Sequence, residues 1–206
     1  MTAASDHFRT LGAEARAEIR VLRSRFLAIA FPITSEETFA ERFDAIRSAH
    51  FDATHHCWAW RLFDGDRARS SDAGEPSGSA GRPILQAIQS ASLHDAGLVV
   101  VRWFGGVKLG TGGLSRAYRD AAAASLATAA VEDRFIYERL AVDAPHRDAN
   151  TVFRLIHPPD VVLVSSAFGA EAHFELDVRR SMVEAVLAEL AGHRIAVRRS
   201  RADREE

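Results

Sequence analysis

An apolar run at residues 98–101 leads, three residues further on, into five glycines within nine positions, residues 105–113, and a helical pattern starts directly afterwards. A strand must therefore feed a helix through a loop of very small residues. Glycine lacks a Cβ, so such a loop can turn with positive φ and let a ligand or another segment lie against its backbone. The first N–H groups of the helix have no intrahelical acceptor, and an anion is stabilised there. Lys108, the only lysine among 26 Lys and Arg residues, lies inside the loop. Two readings follow: an anion cradle formed by Gly105, Gly106, Lys108, Gly110, Thr111, Gly112 and Gly113, or a tight crossing over neighbouring structure. Neither nucleotide fingerprint matches. The Walker pattern needs Ser or Thr directly after its lysine, whereas Leu109 follows Lys108. The dinucleotide pattern needs an acidic residue about twenty positions on, closing the next strand; Glu132 and Asp133 instead follow a long alanine-rich helix.

Around this loop the chain reads as alternating elements. Residues 19–32 form one or two strands. Thr34 or Ser35 caps a helix that carries Glu36 and Glu37 in its first turn and Phe39, Phe43, Ile46 and His50 along one stripe. Residues 54–63 alternate as an aromatic strand, and residues 70–79, with Gly74, Pro76 and Gly78, form a loop. Pro83 suits the first turn of a second helix. Residues 96–104 are apolar on both faces through Val101, as a central strand should be. A helix over residues 114–130 follows. Beyond Val131 the order is strand (137–144), helix (148–156), two strands (161–168 and 172–178), a helix over 181–191 capped by Ser181, and a last strand (195–199). This β-α-β-β-α-β order is the split βαβ, ferredoxin-like arrangement. The expected class is α+β in two domains joined near residues 131–137, with a frayed charged tail at 201–206.

Composition narrows the function. A chain of 206 residues, 47% of them apolar, can bury a proper core. The net charge of −2 excludes a strongly basic polyanion binder, so nucleic-acid contact has to come from a local patch. The preference for Arg over Lys and the many alanines read as coding bias, so the uniqueness of Lys108 is not in itself a signal. Cys57 stands alone and forms no intramolecular disulfide. Residues 1–25 carry no secretory apolar segment and no stretch is long and uncharged enough to span a membrane; a cytoplasmic location is expected.

Four groups could carry chemistry. His55 and Cys57 share one strand face and could give two zinc ligands or a nucleophile with its base, but no second cysteine completes a site; buried packing is the plainer reading. His56, Trp58 and Trp60 share the other face, either as a base-stacking platform or as core beneath a helix. Asp72 and Glu75 could act as an acid–base pair or hold a cation, or could satisfy loop backbone. Arg82, Arg102 and Arg116 flank the glycine-rich segments and, with Lys108, could line a phosphate path.

Three pieces in this order, Thr54-His55-His56-Cys57-Trp58-Ala59-Trp60, Ser71-Asp72-Ala73-Gly74-Glu75-Pro76-Ser77-Gly78-Ser79-Ala80-Gly81-Arg82-Pro83, and Val99 through Tyr118, resemble the signature of the YigZ/IMPACT family. The family's second piece typically reads Ser-Asp-Asp-Gly-Glu-Pro, so Ala73 is a departure that removes one carboxylate. The resemblance implies an N-terminal domain of the ribosomal protein S5 domain 2-like fold over residues 1–134. It also implies a ferredoxin-like domain over 137–206, similar to the fifth domain of elongation factor G. The family's eukaryotic member restrains a translation-initiation kinase by competing for that kinase's activator.

The expectation is therefore a non-enzymatic, translation-linked protein that binds RNA or a ribosomal or translation-factor component through the glycine-loop face, joined by the loop from Asp72 to Arg82. The alternative is an enzyme acting on a phosphorylated small molecule or nucleotide, with Gly110 to Gly113 as phosphate cradle and Asp72 or Glu75 as base. No cofactor, metal, membrane or sequence-specific DNA partner is expected; His55, His56, Asp72 and Glu75 are motif residues without an assigned role.

Overall fold

The computed structural model describes residues 6–200; the 201–206 tail lies outside them. The described residues divide into two compact units: Phe8–Asp133, and a second that gathers residues 6–7 and 134–200.

The first unit runs β1 (His7–Leu11), β2 (Ala15–Val21), β3 (Ser24–Pro32), α1 (Glu36–Ala49), β4 (His55–Arg61), β5 (Ala68–Ser71), α2 (Gly81–Ser90), β6 (Ala96–Trp103), α3 (Gly110–Ala127) and β7 (Val131–Phe135). Five strands form one antiparallel sheet in the order β2-β3-β6-β4-β5. β6 is central, as its two-sided apolar character requires. Leu98 and Val100 face α2 and α3 together with Phe26, Cys57 and Tyr118. Val99 and Val101 face α1, where Phe39, Ile46 and Trp60 pack with them. The result is a sheet between α1 on one side and the α2–α3 pair on the other.

Ser35 is the cap of α1. Its hydroxyl accepts from the Thr38 N–H, and the Thr38 hydroxyl accepts from the Ser35 N–H in return. Glu36 and Glu37 sit in the first turn, on the positive end of the helix dipole. The aromatic face of β4 lies under this helix: Trp58 meets Phe39 at 5.1 Å and Phe43 at 6.1 Å between ring centroids. It is core and not a stacking platform.

The second unit contains β8 (Tyr137–Ala144), α4 (Ala149–Leu155), β9 (Val161–Phe168), β10 (Ala172–Arg179), α5 (Val183–Gly192) and β11 (Ala196–Ser200), with strand order β11-β8-β10-β9. The expected ferredoxin-like order is present. Leu140, Val142, Phe174, Leu176 and Val178 alternate inward beneath Val152, Val186 and Leu190 of the two helices.

Five elements differ from the sequence expectation. β1 and β7 pair as a two-stranded sheet; β7 is exposed along almost its whole length, so it carries no apolar alternation to read. β5 occupies the start of the segment read as loop. The helix expected from Leu114 begins at Gly110, because apolar periodicity cannot mark a first turn made of glycines. Ser181 does not cap α5. A 3₁₀ turn precedes that helix, and the Ser181 N–H donates to Asp6 Oδ2 at 2.9 Å.

Two glycines of the loop differ in what they do. A Cβ on Gly105 would collide with the Arg23 backbone carbonyl, whereas one on Gly112 would meet nothing. Gly105→Ala is expected to cost about 3 kcal/mol or more by overpacking. Gly112→Ala should raise stability by up to about 1 kcal/mol through helix propensity. Urea unfolding of the two variants checks this, and equal effects would contradict it.

Candidate functional site

Sheet register assembles the site. Phe26, Arg102 and His55 stand in one row across β3, β6 and β4, and the next row on the same face holds Cys57 beside Val100. The α2–α3 layer covers this face but does not seal its end. There Arg102, only 4% exposed, extends under the segment that carries Glu75.

Glu75 is the meeting point. Its Oε1 accepts from the Arg102 guanidinium, accepts from the Tyr118 hydroxyl at 2.7 Å, and lies 3.9 Å from His55 Nε2. Arg102 also reaches the Ser24 hydroxyl at 3.4 Å, while its buried Nε has no acceptor among the described residues. His55 Nδ1 bonds the Ala73 carbonyl at 3.0 Å, which fixes the ring. Burial, reinforced by Cys57 and Glu75, holds the Tyr118 hydroxyl far above its ordinary value. Tyr118 is therefore a donor to Glu75 and not a base.

Asp72 has a different role. Its carboxylate accepts the N–H groups of Gly78, Ala80 and Gly81 at 2.8–2.9 Å. It closes the loop upon itself and caps α2 from nine residues away, where no neighbouring side chain does so. Burial opposes its ionisation, but the three N–H donors and Arg82 outweigh this and leave the carboxyl below the usual range. Ala73, where the family has Asp, sits at φ +44°, a left-handed conformation that Asp and Asn tolerate better than Ala.

Cys57 is fully buried. Its thiol donates to the Asp72 carbonyl at 2.9 Å and lies 3.3 Å from the Tyr118 hydroxyl. Burial pushes it up to about 12, so no thiolate nucleophile stands ready there at neutral pH.

Above Glu75 opens a cleft of about 450 Å³. Glu75 and Arg102 line it, Phe104, Leu109 and Leu114 give it an apolar wall, and His55, Lys108, Gly110 and Thr111 are among the rest of the lining. Gly110, at φ +69°, turns the chain into α3, whose N-terminus carries no side-chain cap. Its first N–H groups remain free for an anion, and the helix dipole favours one.

Six residues singled out from the sequence thus meet in one cleft: His55, Glu75, Arg102, Lys108, Gly110 and Thr111. Arg82 and Arg116 are exposed and do not line it. Gly105 is a packing glycine, and Gly106, Gly112 and Gly113 also lie outside the lining. His56 points to the opposite face, where Nε2 bonds the His50 carbonyl at 3.1 Å and burial lowers its pKa. Arg102 lines the cleft as a buried counter-ion of Glu75, a pairing the sequence did not reveal. Its place on the inward side of β6 was the available signal. The roles of Tyr118 and Phe104 were not foreseen.

The Impact N-terminal domain model matches residues 22–126, half of the chain and all of this cleft. An IMPACT family member of Haemophilus influenzae is 32% identical over 176 residues, covering 84% of this chain and 85% of that protein. The IMPACT family member YigZ of Escherichia coli is 38% identical over 101 residues, 48% of this chain and 50% of that one. A crystal structure of a protein described as hypothetical aligns with 97% of this chain and 99% of its own at TM-score 0.67 and 24% identity, which speaks for the fold alone. The chain belongs to the IMPACT family.

Two outcomes are expected from these residues. Asp72→Ala should destabilise the first unit by about 2–3 kcal/mol, since it strands three N–H groups. The folded carboxyl is depressed, so its contribution is full above about pH 4 and is lost as pH falls through the lowered value. The gap between wild type and variant should therefore close only on the acid side, as followed by urea unfolding against pH. Cys57 should resist thiol reagents in the native protein and react on unfolding; rapid native labelling would contradict its packing.

Proposed function

We propose that this chain is a non-enzymatic, cytoplasmic protein of the translation apparatus whose cleft binds RNA through a backbone phosphate. One observation carries the reading: the uncapped N-terminus of α3 opens into a cleft with Lys108 in its lining, while the only carboxylate there is matched by Arg102. Such a site is locally cationic although the chain as a whole is not. Membership in a family with a translation-regulating eukaryotic member supports the same assignment. Among the described residues no helix is long and apolar enough to cross a membrane.

The enzymatic alternative needs a base in the cleft. Asp72 is held by three N–H groups and does not line it, and Glu75 has one oxygen engaged by Arg102 and Tyr118, whose positive charge and hydroxyl weaken it as a base. The geometry therefore favours binding over turnover.

The test is equilibrium binding of single-stranded RNA to wild type and Lys108→Ala across a salt series, with ribosome co-sedimentation at low and high salt. Removing one phosphate contact should weaken binding uniformly across sequences and lower the salt slope by about one. An unchanged slope and affinity would remove Lys108 and the cleft from RNA binding.

A further inference from the structure

The chemistry of Glu75 goes beyond holding Arg102, and it deepens the phosphate reading on which this inference rests. All three neighbours of the carboxylate, Arg102, Tyr118 and His55, meet the same oxygen, Oε1. Oε2 has no hydrogen-bond partner among the described residues. It is also not among the polar atoms sealed away without a partner, and Glu75 lines the cleft. A side chain only 3% exposed thus keeps one oxygen unmatched and not sealed away, on a residue that lines the cleft.

A carboxylate oxygen only accepts hydrogen bonds. An unmatched one at the edge of a cleft is satisfied by water in the free protein and by a donor group of a ligand that displaces that water. The α3 N-terminus and Lys108 make the opposite demand, for an anion. Phosphate alone meets the second demand and is repelled by the first. A ligand that meets both carries a phosphate and, a few bonds away, a neutral hydroxyl. Ribose phosphate is that chemistry. A cleft of about 450 Å³ lies in the range of small-ligand pockets, roughly 300–1,000 Å³. Phe104, 47% exposed on the apolar wall, offers a ring for a base to stack upon.

We propose that the cleft selects ribose over deoxyribose, with Glu75 Oε2 accepting the 2′-hydroxyl of a nucleotide whose phosphate rests at the N-terminus of α3. The 2′-hydroxyl is the group by which a protein tells RNA from DNA at a single site. The same chemistry could come from an RNA chain or from a free ribonucleotide.

The experiment varies the ligand first, so that it does not depend on a variant that folds. Wild-type protein is titrated with single-stranded RNA and DNA of one sequence, and with a ribonucleoside monophosphate and its 2′-deoxy counterpart. The ribose form should bind about tenfold more tightly or better, the effect of one hydrogen bond to a charged group. Preference confined to the oligonucleotides assigns the site to RNA chains; preference among the monophosphates assigns it to free nucleotides. In Glu75→Gln, checked by cooperative melting, the preference should shrink several-fold while inorganic phosphate still binds. Equal, salt-sensitive binding of ribose and deoxyribose forms would overturn the hydroxyl contact and leave the phosphate reading standing. Absence of binding to every one of these ligands would overturn both.

Discussion

The buried contact between Arg102 and Glu75 is what the cleft depends on. A guanidinium at the end of the central strand, 4% exposed, is tolerable only with a counter-charge, and removing either partner of such a pair typically costs about 3–5 kcal/mol. Glu75 is brought to it by a loop, not by a sheet or helix. The pair therefore ties an irregular segment to the most rigid part of the sheet. Tyr118 adds a donor from α3, so three separate elements converge on one carboxylate oxygen.

The loop can deliver Glu75 because Asp72 has already shaped it. Three backbone N–H groups on one carboxylate hold the turn and the start of α2 together, and the Ala73 carbonyl in turn orients His55. Two acidic residues three positions apart thus do unlike jobs: Asp72 builds the loop and Glu75 faces the cleft. The glycines divide in the same way. Gly105 permits a close crossing over Arg23, while Gly110 turns the chain so that α3 presents its N-terminus. Packing accounts for Gly105, and the proposed anion site belongs to the helix start that Gly110 turns into place.

Much of the fold was legible because most elements bury one face and so leave a period in the sequence. β6 read as central from its two apolar faces, α1 from its cap and stripe, and the second unit from alternation in β8 and β10. Where burial left no period, the reading failed. β7 is exposed, the first turn of α3 is glycine, and α5 begins after a 3₁₀ turn that a serine cap only resembles. Within the site, parity along β4 correctly separated His55 and Cys57 from His56, Trp58 and Trp60. The partner of Arg102 was not legible, because Glu75 lies 27 residues away in the loop, a distance that no local rule spans.

Sequence by itself determined the α+β class, the ferredoxin-like order of the second unit, the central strand and the residues of the motif, since these rest on local periodicity, turn chemistry and residue type. Tertiary structure alone decided which of those residues meet. Strand register set Arg102 beside His55, Asp72 bent the loop until Glu75 reached both, and the fold left the start of α3 uncapped above them. Charge pairing and open space depend on distances through the fold, and the order of residues along a chain does not contain those distances in any local form.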